Sequence, residues 1–100
     1  MTVFWTNHAK REMRAVYDYI AQNSARYAQG LVDRITRKTK QLSTMPYLGA
    51  TVPEYEEASI RELVEQSYRI IYRVRGDRVE ILSVVHGARP LPLEIPGNGS

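Results

Sequence analysis

Four arginines and one histidine in the second half of the chain are the side chains best suited to chemistry. They are Arg61, Arg69, Arg73, His86 and Arg89, and we call them the charged rim. An unperturbed imidazole titrates near about 6.5, so His86 can act as an acid or a base. Guanidinium groups stay charged and can bind phosphate or an acidic surface. We therefore expect the charged rim to be either a catalytic group or a binding surface for an anionic target.

A β-hairpin is predicted to position the charged rim. Residues 68–74 and 79–85 are rich in β-branched and aromatic types. Between them Gly76-Asp77 suits a two-residue type II′ turn, because glycine adopts the positive φ required at the first central position. One face of the hairpin is predicted to be core and the other to carry cations. The turn implies the pairs Val74–Val79, Arg73–Glu80, Tyr72–Ile81, Ile71–Leu82, Ile70–Ser83, Arg69–Val84 and Tyr68–Val85.

The composition predicts one small domain. The chain has 100 residues, of which 43% are hydrophobic and 25% charged, and this is enough for one core. We expect a single domain over residues 1–89 and a Pro/Gly-rich C-terminal tail over residues 90–100, frayed from Gly97 onward. The lack of a long apolar run or a signal-peptide pattern predicts a cytoplasmic protein. With no cysteine and two histidines, we expect no metal and no cofactor.

The basic charge is concentrated in the first half of the chain. Residues 8–40 contain eight lysines and arginines against three acidic residues, within a formal net charge of +3 for the whole protein. Three glutamates follow in the segment 54–57. A basic protein of this kind is expected to bind a polyanion or an acidic protein.

The elements ahead of the hairpin predict an α+β fold. Residues 3–5 form a short strand, Thr6 or Asn7 can cap a first helix, and Ser24 can cap a second. Residues 45–58 contain two prolines, a glycine and three glutamates, which predicts an exposed connection before a strand at 60–65. The predicted order is β-α-α-β-β-β, with a helical hairpin packed on a small, mostly antiparallel sheet.

The predicted fold also indicates which aromatic residues are buried and which apolar residues could meet a partner. The tyrosines 17, 19, 68 and 72 are expected to be core or core-edge aromatics rather than platforms for stacking bases. An apolar stripe on each helix, together with Ile71, Leu82 and Val84 on the second face of the sheet, is expected to leave more apolar surface than one small core needs. Some of this surface is therefore expected to bind a partner.

The order of several short motifs carries a family resemblance. The motifs are Trp5-Thr6, Tyr19-Ile20-Ala21, Leu42-x-x-x-Pro46-x-x-Gly49, Arg61-Glu62-Leu63, Tyr68-Arg69-Ile70-Ile71-Tyr72-Arg73 and Val85-His86-Gly87-Ala88-Arg89. In this order they resemble the ParE branch of the RelE/ParE toxin superfamily. The resemblance covers nearly the whole chain through Arg89.

The resemblance implies the toxin of a type II toxin-antitoxin system, neutralised in a hetero-oligomer by a small, partly disordered antitoxin. It also implies that operator DNA is contacted only through the antitoxin. ParE-like members inhibit DNA gyrase, whereas RelE-like members cut messenger RNA on the ribosome without a metal. Because the two activities share a fold, the fold does not choose between them.

The residues at the end of the last strand favour inhibition of gyrase over cleavage of messenger RNA. Metal-free RNA cleavage needs an acid, a base and cations on the phosphate. The four arginines of the charged rim can supply the cations and His86 an acid or a base, and Tyr47 or Tyr55 could serve if a loop delivered them. Ribonucleases of the superfamily usually carry a tyrosine directly after the last-strand histidine or near the C-terminus, whereas here Gly87 follows His86 and no tyrosine occurs after Tyr72. We therefore expect a gyrase-binding protein rather than an enzyme. The alternatives are a RelE-like messenger RNA endoribonuclease and a degenerate toxin that acts only as an antitoxin-binding co-repressor.

Overall fold

A computed structural model describes residues 1–95, so the predicted fraying at Gly97 lies outside the described residues. Two α-helices and a five-stranded sheet account for most of the chain, with one 3₁₀ turn after the second helix. The elements are β1 (Thr2–Trp5), α1 (Asn7–Ala21), α2 (Ala25–Lys40), the 3₁₀ turn (Gln41–Ser43), β2 (Ala50–Thr51), β3 (Ile60–Glu65), β4 (Tyr68–Arg75) and β5 (Arg78–His86). The predicted α+β fold and the order of its main elements are confirmed. The two-residue β2 is an addition within the predicted connection.

The sheet places β5 near one edge and β2 at the other. Its strand order is β1-β5-β4-β3-β2. The β1 strand runs parallel to β5, and the other neighbours are antiparallel. Pairing of β1 stops at Trp5, opposite Ile81. The end of β5 beyond Ile81 therefore has no strand beside it on that side.

Both helices begin where the sequence predicts. The hydroxyl of Thr6 accepts a 3.1 Å hydrogen bond from the amide of Ala9, and the hydroxyl of Ser24 accepts one of 3.1 Å from the amide of Tyr27. Each cap satisfies one amide that has no partner within its helix. The apolar stripes of both helices then pack on one face of the sheet, in a core that includes Ala9, Leu31, Ile35, Ile70, Tyr72, Ile81 and Val84.

The other face of the sheet carries a second core. It contains Val52, Tyr55, Ile60, Ile71, Leu82 and Val85, with Leu91 and Ile95 packed against it. The prediction of one core face and one face that carries cations is therefore wrong in part, because an apolar core covers the second face as well. The prediction of a wholly exposed connection is also wrong, since Val52 and Tyr55 are buried. These two residues are buried because the part of the connection between β2 and β3 folds back over the sheet.

The same packing covers the part of the expected partner surface that lies on the sheet. Ile71 and Leu82 are covered by the chain's own connection, and Val84 lies in the helix-side core. The tail contributes Leu91 and Ile95 to this cover, and the phenolic O–H of Tyr55 donates a 2.8 Å hydrogen bond to the carbonyl of Pro92. The predicted domain boundary at Arg89 stays a prediction.

The hairpin turn agrees with the sequence, but the register agrees only near the turn. Gly76 has a φ of +60°, as the first central residue of a type II′ turn requires. The pairs Val74–Val79, Arg73–Glu80 and Tyr72–Ile81 are confirmed. A β-bulge at Leu82 then shifts the register by one residue, so that Ile71 pairs with Ser83 and Tyr68 with His86. The four predicted pairs beyond the bulge are wrong: Ile71–Leu82, Ile70–Ser83, Arg69–Val84 and Tyr68–Val85.

No helix within residues 1–95 has both the length and the apolar character needed to span a membrane.

Candidate functional site

His86 and Arg89 lie together at the C-terminal end of β5. The amide of Arg89 donates a 3.0 Å hydrogen bond to the carbonyl of His86, and this closes a tight turn after the strand. The amide of Ala88 donates to the imidazole Nδ1 at 3.1 Å, so a neutral His86 carries its proton on Nε2. The ring of Tyr68 meets the imidazole edge to face, with centroids 5.5 Å apart. The turn thus fixes the imidazole beside Arg89.

The guanidinium of Arg89 is exposed, and its N–H donors bond to no group within residues 1–95. The sequence also indicates an available Arg89, because no acidic residue is near it in the chain until Glu94. An exposed cation with unused donors is suited to an external phosphate or carboxylate.

Arg69, by contrast, is held by two carboxylates of its own chain. Its Nη1 and Nη2 donate to Glu54 at 2.8 and 3.0 Å, and its Nε donates to Glu62. The hydrogen bonds with Glu54 and then Glu62 raise the pKa of Arg69 above its ordinary range, and those from Arg69 lower the pKa of Glu54. Because Glu54 belongs to the connection and Glu62 to β3, Arg69 ties the connection to the sheet.

Arg61 and Arg73 also serve the connection. Arg61 donates from Nη1 to the carbonyl of Gly49 at 3.0 Å and from Nε to the carbonyl of Ala58 at 3.1 Å. Its guanidinium lies 4.9 Å from the ring centre of Tyr47. Arg73 is buried, with one nitrogen 4.0 Å from a carboxylate oxygen of Glu57. The structure therefore divides the charged rim into an exposed pair, His86 and Arg89, and three arginines bound to the connection.

Glu12 is a polar residue of this region that sequence reasoning missed. Its Oε1 accepts hydrogen bonds from the Ser83 hydroxyl and from the Val84 amide, the latter at 3.0 Å. The Nε2 of His8 lies 3.2 Å from the same oxygen. The Val84 amide lies just beyond the end of β1, so the carboxylate occupies the place of a missing strand. The short β1 beside the long β5 is the signal that could have indicated such a group.

Two cavities adjoin Glu12 and Arg89. One of about 810 Å³ lies between the start of α1, β5 and the tail, and its lining includes His8, Ser83 and Leu93. The other, of about 370 Å³, lies between α1 and the end of β5. His86 lines this second cavity together with Arg89. Ligand-binding sites typically have volumes of about 300 to 1,000 Å³.

The tyrosines of the sequence prediction have different environments. Tyr72 is fully buried and Tyr68 packs at the edge of the helix-side core, as predicted. Tyr19 is 69% exposed, so its interpretation as a core aromatic is wrong. Burial, followed by the neighbouring phenols of Tyr19 and Tyr27, raises the pKa of Tyr68.

Comparison with known proteins identifies the family. The family described as the ParE toxin of a type II toxin-antitoxin system, parDE, matches residues 3–91. The chain belongs to the ParE toxin family. A solved structure described as "Chromosomal ParDE TA system from P. aeruginosa" is similar to this ParE toxin, with 27% identity and a TM-score of 0.70. The similarity covers 86% of this chain and 95% of that one. No curated protein sequence matches the chain. The resemblance to the ParE branch is thus confirmed.

Proposed function

We propose that this ParE toxin acts in the cytoplasm by binding and inhibiting DNA gyrase, without catalysing a reaction. The observation that carries the proposal is the exposed Arg89 guanidinium, which has no partner within residues 1–95, beside an ordered His86. Such a pair suits contact with an acidic surface of a large target. Arg61, Arg69 and Arg73 support the connection behind this contact.

The engagement of these three arginines favours binding over RNA cleavage. A ribonuclease would need its cations free to stabilise charge developing on the phosphate. Here Arg61 bonds to two carbonyls and Arg69 to two carboxylates. The Nδ1 of His86 accepts from the Ala88 amide, and no tyrosine occurs after Tyr72 to act with it. Cleavage is therefore the weaker candidate.

We further propose that a cognate antitoxin neutralises this toxin in a hetero-oligomer. Within that hetero-oligomer the antitoxin, and not the toxin, contacts operator DNA. The P. aeruginosa structure is described as a ParDE toxin-antitoxin system, which supports a partner of the same kind. Five cations on the two helices have no ion pair within residues 1–95: Lys10, Arg11, Arg26, Arg37 and Lys40. An acidic antitoxin segment fits these cations, and its association should weaken as salt rises.

Supercoiling by purified gyrase, with and without the protein, tests the gyrase proposal. We expect the wild-type toxin to inhibit supercoiling and Arg89→Ala to inhibit much less. Arg26→Ala is the matched control, because Arg26 is also exposed and without an ion pair but lies on α2. A fully inhibitory Arg89→Ala protein with an unchanged melting temperature would show that the contact lies elsewhere. A wild-type protein that leaves gyrase active would overturn the proposal.

A further inference from the structure

The cavity of about 370 Å³ between α1 and the end of β5 combines three kinds of side chain. Val16 gives it an apolar wall, Tyr19 and Tyr68 give it aromatic rings, and Glu12 and Arg89 give it opposite charges. A site with apolar and aromatic walls and a few polar groups has the general character of a small-molecule site. The proposed inhibition of gyrase assigns no role to Tyr19 or Glu12.

The aromatic rings can hold a flat ligand. Tyr19 is 69% exposed and so contributes little to the core. Tyr68 is held in place by its edge-to-face contact with His86. Aromatic side chains that line a cavity beside a cation are the usual platform for the bases of single-stranded nucleic acids. Of the two rings Tyr19 is exposed, whereas Tyr68 is partly buried.

Both charged groups have hydrogen-bonding atoms that make no hydrogen bond within residues 1–95. All contacts of Glu12 with Ser83, Val84 and His8 use Oε1, and within residues 1–95 its Oε2 has no hydrogen bond. A carboxylate oxygen accepts from the amino group of a base such as cytosine. The guanidinium of Arg89 has no internal partner in the same part of the chain and can bind a phosphate.

We propose that this cavity binds a base of single-stranded nucleic acid. The base stacks on Tyr19 and Tyr68, its amino group donates to Oε2 of Glu12, and the adjoining phosphate binds Arg89. The site favours cytosine and adenine, because each presents an amino group, whereas the one N–H donor on the free edge of thymine lies between two carbonyl oxygens that the carboxylate repels. The inference does not depend on gyrase as the target.

Fluorescence anisotropy with short labelled DNA strands tests the site on the full-length protein without antitoxin. We expect oligodeoxycytidine to bind roughly tenfold more tightly than oligothymidine, in line with the cost of one lost base contact. Tyr19→Ala should weaken oligodeoxycytidine binding roughly tenfold by removing a stacking ring. Tyr47→Ala is the matched control, since Tyr47 is exposed but lies outside the cavity. It should bind like the wild type.

Glu12→Gln gives the sharpest result. Ser83 and Val84 both donate to Oε1, so the amide oxygen must take that position and the amide NH₂ must replace Oε2. The cavity then offers a donor instead of an acceptor, and the preference for oligodeoxycytidine over oligothymidine should be lost, because both bases present acceptor atoms. The melting temperature of each variant reports whether it folds. If Glu12→Gln does not fold, the Tyr19→Ala comparison still decides.

Two results would overturn the inference. They are a folded Glu12→Gln protein with the wild-type preference and a folded Tyr19→Ala protein with wild-type affinity for oligodeoxycytidine. Because the assay contains no gyrase, its failure is distinguishable from failure of the gyrase proposal.

Discussion

The amide N–H of Gly49 donates a 2.9 Å hydrogen bond to the phenolic oxygen of Tyr72, which is fully buried in β4. A Cβ atom at position 49 would lie 2.4 Å from the carbonyl oxygen of Glu62 and 2.8 Å from the Tyr72 hydroxyl. Only glycine fits this close approach. The final glycine of the Leu42-x-x-x-Pro46-x-x-Gly49 motif thus anchors the start of β2 to the core.

Gly49→Ala should therefore destabilise the protein by about 1 to 3 kcal/mol, since the added methyl group meets backbone rather than a flexible side chain. Urea unfolding measures the change. Gly30→Ala is the control, because a Cβ there comes no closer than 3.4 Å, to the end of the Arg34 side chain. In the middle of α2 this alanine should stabilise the protein by up to about 1 kcal/mol. Equal stability of the Gly49→Ala protein and the wild type would show that the loop can move aside.

Arg69→Ala should lower the free energy of unfolding by about 2 kcal/mol, because it leaves the partly buried Glu62 carboxylate without its charged donor. Arg14→Ala is the control, because it breaks an exposed ion pair, with Asp18. Its loss of unfolding free energy should stay below about 0.5 kcal/mol. Chemical unfolding measures both losses of unfolding free energy. Similar losses for the two variants would contradict the role of Arg69 in holding the connection on the sheet.

The same contact predicts a pH dependence. Hydrogen bonds from Arg69 lower the pKa of Glu54 below its ordinary value of 4.5. A carboxyl group with a lowered pKa in the folded state adds stability above that ordinary value, and the contribution is lost as pH falls through the folded pKa. Between about pH 6 and about pH 3 the wild type should lose more unfolding free energy than Arg69→Ala. Glu54 is partly exposed, so the difference should be small and should shrink in high salt. Parallel stability curves for the two proteins would contradict this assignment.

His86→Ala separates the proposed binding function from catalysis. Loss of an acid or base in an enzyme typically costs about 10² to 10⁴ in rate, whereas a gyrase-binding toxin should keep most of its toxicity. Growth arrest after induction without antitoxin measures the effect, and Arg26→Ala serves as control. Early, codon-phased cuts in ribosome-bound transcripts that disappear in His86→Ala would establish the ribonuclease instead. Absence of any growth defect in the wild type would favour the degenerate toxin.

The sequence predicts those parts of the fold that depend on neighbouring residues. The caps at Thr6 and Ser24 and the turn at Gly76 involve contacts within three residues, and their chemistry is visible in the residue types. The order of motifs through Arg89 then identifies the family. These features explain why element types and order were predictable.

The missed features depend on contacts between distant segments. The connection folds onto the sheet because Glu54 meets Arg69, fifteen residues away, and nothing in the composition of residues 45–58 indicates this pairing. The bulge at Leu82 has no signal in the apolar pattern, since the residues on both sides of it are buried. Glu12 is recognisable only once the end of β1 opposite Ile81 is known.

The contact between Glu12 and Val84 also bears on self-association. A bare sheet edge invites strand addition by another molecule and hence aggregation. On the flank of β5 that β1 leaves uncovered, a helix-borne carboxylate already occupies the Val84 amide. A second copy that added a strand here would have to displace the Glu12 carboxylate from the Val84 amide. The charged carboxylate would then be buried against the backbone of that copy. A single side chain on α1 thus takes the backbone donor that strand addition at this end of β5, the longest strand, would use.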